Sequence, residues 1–395
     1  MTGAPTAPVG ALTARTVASV RDIPAEVWDR LVTGDPDGTP FLTHAFLAAL
    51  EDTGCLGATR GWEPQHLVMR RGDTVVGLAP AFVKHHSLGE FVYDFAWADA
   101  AARAGLPYYP KLVLAAPFTP VAGRRLFADP DAAAAEQAVI RSALIAAAAS
   151  AAVERGCAGI HLLFGCAEDI AIAREAGLFP RVGCQFHWRD ADYGDFEAFL
   201  ARFPSHRRNQ IRRERRQVAA AGVTVTHHHG LAIEDRWRDD AFAFYGATID
   251  RYVHGRRYLN AAFFERLWAP ELRRHLQLTL AWRGGHIIGG ALNLEHAGRR
   301  FGRYWGALDE VPGLHFEVCT YAAIEDCLAR GVRIFEAGAG GETHKLKRGF
   351  LPVLTTSAHA LFEPRLHDAC AAFSAREATH LQKEAEALGH DVFAR

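Results

Sequence analysis

The chain contains an internal repeat, and this repeat constrains the fold more than any other feature of its 395 residues. Residues 66–83 read HLVMRRGDTVVGLAPAFV, and residues 278–294 read LTLAWRGGHIIGGALNL. Both are alternating apolar runs with an Arg-Gly turn and a closing glycine, a pattern typical of a β-hairpin. An aromatic segment follows each copy, at 91–97 and 300–307, and it predicts one more strand in each half.

A second pair of similar segments follows in the same order. Helical stretches that end in Arg-Gly, at 155–156 and 330–331, precede short apolar strands at 160–164 and 334–337. GLFPRVGCQFH (177–187) and GFLPVLTTSAH (349–359) then place Gly, Pro and His at the same offsets, and each is predicted to form the last strand of its half. Each half therefore predicts an α/β (α+β) unit with a mixed, largely antiparallel sheet flanked by helices. The G-x-G-x-x-G turn of a doubly wound nucleotide-binding sheet does not occur.

The boundary between the halves is expected in the polar stretch 189–194. We therefore predict a mobile tail at 1–15, a first domain at 16–192 and a second domain at 193–395. The segment 364–388 is predicted to be helical and to pack back on one of the halves.

Composition narrows the class of protein. A formal net charge of −1 gives no overall field that would attract nucleic acid or a membrane, so charge arguments must be local. The seven cysteines are scattered without a C-x-x-C pair, which favours reduced thiols in a cytoplasmic protein over a disulfide framework or a zinc site. The most apolar run, 143–153, is too short to span a bilayer, so we expect no membrane span.

Longer motifs carry a family resemblance. Those in the first half are FLTHAFLAALEDTG, KHHSLGEFVYDFAWADAAARAG and YYPKLVLAAPFTPVAGRRL; those in the second are SHRRNQIRRERR, RYWGALDEVPGLHFEVCTYAAIEDCLARG and FEAGAGGETHKLKRGFLP. Over residues 41–359 the chain resembles the FemAB-like family of N-acyltransferases. The resemblance implies two tandem GNAT-like domains that move an acyl or aminoacyl group onto an amine. The family motif Gly-Ala-Gln-Gly-Glu-His-Lys reads GAGGETHK here (338–345), with Gly340 in place of glutamine and Thr343 added.

Transfer of an acyl group to an amine requires a neutral amine, stabilisation of an oxyanion and close positioning of both substrates. The segment 336–349 leaves a short strand, is rich in glycine and concentrates charge, as loops that carry active sites often do. The alternative for this segment is a solvated basic turn. The segment 303–317 joins the next candidate strand to the start of a helix, a position at which ligands can bind. The alternative for this segment is that its aromatic side chains belong to the core and that the carboxylate of Glu317 interacts with the helix dipole. The predicted catalytic residues are Glu342, His344, Lys345, His315 and Glu317, and the predicted substrate-binding residues of these two segments are Arg348, Tyr304 and Trp305.

Two other regions are candidates for substrate binding. Side chains beside proline turns suggest an acceptor wall, formed by Lys84, Tyr108, Tyr109, Lys111 and Thr119. The helical stretch 205–216 presents arginines suited to phosphates, including those of tRNA, through Arg207, Arg208 and Arg212. The alternative for this stretch is a solvated amphipathic helix. His227, His228 and His229 are expected in an exposed loop, and we predict no metal there.

The donor is the remaining question. The sequence DEVPGLHFE after the strand at 300–307 lacks the Arg/Gln-x-x-Gly-x-Gly/Ala turn that holds the coenzyme A pyrophosphate in GNAT proteins. The resemblance therefore slightly favours aminoacyl-tRNA over acyl-CoA as donor, with no permanently bound cofactor and with an amine-bearing small molecule or peptide as acceptor. The first half has no counterpart of the charged loop, which places the chemistry in the second half. A non-catalytic binding protein for a peptide-like cell-wall precursor is the alternative.

Overall fold

The computed structural model describes residues 10–250, 256–338 and 342–393, and it has the predicted mixed α/β architecture. In the first half the strands are β1 (Leu12–Val17), β2 (Trp62–Pro64), β3 (His66–Arg71), β4 (Thr74–Ala79), β5 (Ala81–Lys84), β6 (Lys111–Leu114), β7 (Phe127–Ala128), β8 (Gly159–Leu162) and β9 (Phe179–Arg189). The helices of this half are α1 (Ala25–Thr33), α2 (His44–Asp52), α3 (Phe95–Arg103), α4 (Ala134–Glu154) and α5 (Ala167–Glu175).

The second half follows the same plan after two connecting helices. Its helices are α6 (Phe196–Ala201), α7 (Ser205–Ala220), α8 (Arg238–Ile249), α9 (Ala261–Leu267), α10 (Pro270–Arg273), α11 (Leu314–Phe316), α12 (Ala322–Arg330), α13 (Glu342–Leu346) and α14 (Pro364–Asp391). Its strands are β10 (Val223–His229), β11 (Leu276–Arg283), β12 (His286–His296), β13 (Arg299–Ala307), β14 (Ile334–Glu336) and β15 (Leu351–Leu361). The helix predicted at 364–388 is thus present as α14, and it packs on β9 and β15.

The two halves share one sheet. Among the described residues, eleven strands run in the order β10-β11-β12-β13-β14-β9-β15-β8-β6-β5-β2, and β1, β3, β4 and β7 form a separate small sheet. The last strand of the first half, β9, pairs with β14 and β15 of the second half, and β15 pairs with β8 of the first. Each half therefore places its last strand against the other half, and the core is continuous across the junction.

Helix α4 is long and apolar enough to cross a membrane by length and composition alone. One face of it is buried against strands of the first half, with Ile140, Leu144 and Ala148 fully enclosed. That burial is the arrangement of a core helix in a two-layer domain.

Two predicted elements differ in the structure. The aromatic run 91–97 is not a strand, because Phe91 and Tyr93 have φ angles of +62° and +52° and α3 starts at Phe95. Such left-handed angles cannot continue an extended strand. The residues 227–229 are not an exposed loop; they extend β10, pair with 277–279 of β11 and are partly buried.

Candidate active site

A cavity of about 460 Å³ lies where the two halves meet. Its position follows from the parallel pair β13 and β14, which are hydrogen-bonded only from 299–301 to 334–336. Beyond that point β13 stays paired with β12, whereas the chain leaves β14 at Ala337. The gap between the diverging strands is closed on the opposite side by Phe91, Phe118 and Pro120 of the first half.

The cavity brings together most of the residues predicted from the two segments of the second half. The predicted residues that line it are Tyr304 and Trp305 on β13, His315 at the following helix start, and His344, Lys345 and Arg348 after β14. Glu342 begins α13, the helix that carries His344 and Lys345. The glycine turn of the motif, 339–341, lies outside the described residues.

A π-helical turn shapes one wall of this cavity. The helix that starts at Leu314 widens into a π-helix over Glu317–Tyr321 before it continues as α12. Isolated π-turns within helices occur frequently at functional sites. Here the widened turn directs Cys319 and Thr320 towards the cavity together with His315 and Phe316.

Arg348 is held by hydrogen bonds on several sides. Its Nε donates to the hydroxyl of Tyr321 at 2.7 Å, its Nη2 pairs with Glu214 Oε2 at 2.8 Å, and its Nη1 donates to the carbonyl of His344 at 3.1 Å. Arg348 is only 4% exposed. Because the guanidinium is both paired and buried, it fixes the position of the α13 end relative to the π-turn.

The basic residues make this site electropositive. Lys345 Nζ lies 2.5 Å from the carbonyl oxygen of Gly338, to which it donates a hydrogen bond. Burial, together with the positive charges of Arg348 and Lys345, lowers the pKa of His315 to about 4. The imidazole of His315 is therefore neutral at pH 7 and can donate or accept a hydrogen bond without adding charge.

Aromatic side chains face these polar groups and form an aromatic wall, and most of these side chains were not predicted from the sequence. The rings of Phe118 and Tyr258 stack at a centroid distance of 4.9 Å, and Tyr245 meets Tyr304 edge-on at the same distance. Phe91 packs against Tyr258 from the first half. These residues are scattered from 91 to 304 and form no motif, so only the folded chain brings them together.

Glu317 lies outside this cavity, although it was predicted beside His315. It faces a second groove and pairs with Arg215 at 3.0 Å. The π-turn begins at Glu317, and the wider turn rotates successive side chains to different faces of the helix. The Glu317 carboxylate therefore faces the second groove, whereas His315 faces the cavity.

The predicted acceptor wall in the first half is a buried polar cluster, not a cavity lining. Lys111 is fully enclosed and pairs with Glu90 at 2.8 Å and Asp94 at 2.5 Å. Three other predicted residues share this environment. Tyr108 donates a hydrogen bond to Asp94, and Tyr109 is hydrogen-bonded to Ser87. Lys84 donates to the Leu88 carbonyl, and its Nζ lies over the ring of Trp62. Thr119 is buried and bonds the Pro117 carbonyl, between cavity residues Phe118 and Pro120. The Lys111 cluster therefore anchors the 87–94 loop, whose Phe91 reaches the cavity.

The arginine-rich stretch forms α7, and Arg212, Arg215 and Arg216 line an open groove of about 700 Å³ between α7, β10 and α12. Arg212 lines the groove and pairs with Glu197 at 2.5 Å, whereas Arg207 bonds Gln210 and Arg208 bonds the Phe203 carbonyl. Arg213 and Arg216 are exposed, and neither has an ion pair with any described residue. Both guanidinium groups are therefore accessible to solvent, although the groove that Arg216 lines also contains four carboxylates, those of Glu197, Glu317, Glu325 and Asp326.

A group of possible metal ligands occurs elsewhere, with atoms of His229, Glu295 and Asp326 within 4.8 Å of one another. Arg300 pairs with Glu295 at 2.6 Å and also with Asp326. Since this guanidinium bridges both carboxylates, and Arg330 also pairs with Glu295 at 3.4 Å, the group belongs to an ion-pair network between β12, β13 and α12.

Comparison with known proteins identifies the family and the fold. No curated protein matches the chain significantly in sequence. The crystal structure of FemX is similar with a TM-score of 0.53 and 11% identity, covering 88% of this chain and 98% of that one. A conserved protein of unknown function from Bacteroides thetaiotaomicron gives a TM-score of 0.51 and 12% identity, covering 88% of this chain and 100% of that one. A tandem GNAT protein from the clavulanic acid biosynthesis pathway is more distant, with a TM-score of 0.47, 14% identity and coverage of 89% and 98%. The FemAB-like family, described by peptidoglycan biosynthesis/recognition, matches residues 19–394, and the chain belongs to this family.

Proposed function

We propose that the protein is an N-acyltransferase that moves an aminoacyl or acyl group onto the amine of a small or peptide-like acceptor in the cavity between its halves. The observation that carries this proposal is the convergence of His315, Lys345 and Arg348 on one partly apolar cavity at the divergence of β13 and β14. Apolar walls on part of such a cavity limit the access of water, which would otherwise compete with the amine.

The residues suggest a division of tasks. In the transfer, the amine nitrogen bonds to the acyl carbon, the ester or thioester bond of the donor breaks, and the amine proton leaves with the departing oxygen or sulfur. Lys345, held at the Gly338 carbonyl, supplies a positive charge for the oxyanion. Neutral His315 orients the amine by a hydrogen bond, since a group with a pKa of about 4 is a weak base.

A buried side chain occupies the matching place of the first half. There β6 and β8 run parallel, as β13 and β14 do, and the chain beyond them is closed by the buried guanidinium of Arg125. Its Nε, Nη1 and Nη2 donate to the carbonyls of Leu163, Arg124 and Val121 at 2.5–3.0 Å. This filling supports the placement of the chemistry in the second half.

We favour aminoacyl-tRNA as the donor. The exposed arginines of α7, Arg213 and Arg216, offer a phosphate-binding face, and the turn 309–313 lacks the glycine pattern that holds a coenzyme A pyrophosphate. An aminoacyl-tRNA donor would place the reaction in the cytoplasm. Acyl-CoA is the competing donor of the same reaction class.

The test is the melting temperature of the purified protein with coenzyme A, a set of acyl-CoAs, deacylated tRNA and charged tRNA. A ligand at 100 times its dissociation constant stabilises the native state by about 2.7 kcal/mol, so a true donor gives a clear upward shift. A shift with tRNA that disappears in the double variant Arg213→Gln, Arg216→Gln supports the proposed donor. A shift with coenzyme A species alone replaces tRNA by acyl-CoA. If no donor shifts the melting temperature, the transferase proposal fails, and a non-catalytic binding protein is favoured.

A further inference from the structure

The charged side chains among the described residues that line the cavity are all basic. Its described lining residues include four cationic side chains, Arg256, Arg303, Lys345 and Arg348, and no carboxylate. Arg348 is neutralised by Glu214 from outside the cavity. The described lining therefore carries positive charge with no carboxylate of its own to oppose it.

Arg303 is the most distinctive of these cations. It lies on β13 with Arg299 and Arg300, which pair with Glu336 and with Glu295 and Asp326 respectively. Arg303 has no carboxylate within ion-pair distance among the described residues, and its Nε has no hydrogen-bond partner there. Arg299 and Arg300 thus have carboxylate partners, whereas Arg303, which lines the cavity, has none among the described residues.

The guanidinium of Arg303 is nevertheless fixed in place. Its Nη2 donates to the carbonyl of Phe118 at 2.6 Å, and its central carbon lies 5.3 Å from the ring centroid of Phe41 and 5.2 Å from that of Tyr304. A guanidinium that is already oriented loses little freedom when it binds a planar anion.

The aromatic wall lies directly beside this cation. Phe118, whose carbonyl holds Arg303, stacks on Tyr258, and Tyr304 meets Tyr245 edge-on. Flat aromatic faces bury an apolar or aromatic group of a ligand well. A cation and a set of rings therefore share one end of the cavity.

We propose that the cavity recognises an aromatic carboxylate, with the ring of the ligand against Phe118, Tyr258 and Tyr304 and its carboxylate on Arg303. An aromatic α-amino acid, free or at the end of a peptide, has this chemistry and also carries an amine. The inference deepens the proposed function, because it names the substrate class for the same site. It can be tested by binding alone, so its outcome is separate from that of the donor experiment.

The test compares 3-phenylpropionate with its neutral amide, 3-phenylpropanamide, by isothermal calorimetry at pH 7.5 and physiological salt. The native protein is expected to bind the carboxylate more tightly than the amide. Charge-assisted hydrogen bonds of this kind correspond to about 10- to 100-fold in affinity, and Arg303→Gln is expected to remove that preference. Arg303→Lys should keep part of it, because the charge stays while the forked geometry is lost.

Arg174→Gln is the matched control, since it removes the same charge from an exposed position near the end of α5, outside the cavity lining, and should leave both affinities unchanged. The melting temperature of each variant shows whether it is folded. The inference is overturned if the native protein binds carboxylate and amide equally or binds neither. It is also overturned if folded Arg303→Gln keeps the preference. A donor-induced rise in melting temperature would leave the transferase proposal standing in each of these cases.

Discussion

The guanidinium of Arg348 lies over the ring of Phe316, with its central carbon 3.3 Å from the ring centroid. The contact joins the segment after β14 to the start of the π-turn, and the ion pair of Arg348 with Glu214 adds α7 to the same junction. Three elements that are distant in sequence are thus locked together by one side chain at the edge of the cavity.

We expect Arg348→Ala to destabilise the fold strongly. The substitution removes the stacking on Phe316 and leaves the Glu214 carboxylate without its cation, which typically costs about 3–5 kcal/mol for a buried pair and somewhat less for this partly exposed one. The free energy of unfolding from urea titration measures the effect. Arg365→Ala is the control, because its side chain is 83% exposed and its pair with Glu363 should contribute less than about 1 kcal/mol. Equal effects of the two substitutions would contradict the anchoring role.

Lys345→Met is expected to abolish most turnover while the fold remains. The loss of a preorganised positive charge at the oxyanion typically lowers kcat by about 100- to 1,000-fold. The assay measures deacylation of the donor that shifts the melting temperature, with a mixture of amino acids as acceptors. Lys347→Met supplies the control, since Lys347 lies two residues away and is exposed. Full activity of Lys345→Met would exclude the proposed role of Lys345.

Glu90 gives a prediction about pH. Burial raises the pKa of Glu90 to about 7 from its usual 4.5, even though the charge of Lys111 opposes the shift. Between these pH values the folded protein holds a proton that the unfolded chain has released. The contribution of Glu90 to stability is therefore present at low pH and is lost as the pH rises towards 7.

Glu90→Gln removes this titration. We expect the free energy of unfolding of Glu90→Gln, relative to the native protein, to increase from pH 5 to pH 7 by up to ~1.4 kcal/mol per pH unit. Urea titrations of both proteins at pH 5, 6, 7 and 8 measure the difference. A difference that stays constant with pH would mean that Glu90 is ionised throughout.

The local elements followed from sequence patterns, but their partners did not. The hairpins, the strands β9 and β15 and the basic helix α7 were all predicted, because alternation and helical periodicity are properties of short segments. The exchange of β9 and β15 between the halves was not, since alternation does not specify which strand lies next to which. The run 91–97 has the aromatic content of a strand, yet its φ angles depend on the anchoring of Glu90 and Asp94 by a lysine about 20 residues away.

The candidate site could likewise be predicted only in part from the sequence. The segment that contains Lys345 was found because glycines and charges cluster after a strand, and the segment that contains His315 was found because a strand leads there into the start of a helix. Lys84 and Lys111 were predicted to contact substrate because they lie in a region of proline turns, but both are buried. Their burial depends on Trp62, Glu90 and Asp94, and no spacing along the chain indicates those contacts. Arg303, Phe118 and Tyr258 likewise become one surface only through the packing of the two halves.

The shared sheet also leads to a prediction for the two halves as separate chains. Strand β9 is hydrogen-bonded along both edges to strands of the second half, so a fragment of residues 1–192 would expose an eleven-residue strand with no partner. A fragment of residues 193–395 would lack the strand that lies between β14 and β15. Unpaired strand edges of this length favour aggregation over folding. We therefore expect neither fragment to unfold cooperatively in urea when it is expressed alone.

Coexpression of the two fragments should restore a folded complex, because the proposed boundary lies between the end of β9 and the start of α6 and crosses no strand. Size-exclusion chromatography and the urea transition of the complex, compared with those of the intact chain, test this expectation. The matched control is a break between 183 and 184, within β9, which should prevent reconstitution because it divides the shared strand. A cooperative transition in the isolated 193–395 fragment would show that the second half folds without β9, and the strand exchange would then contribute little to its stability.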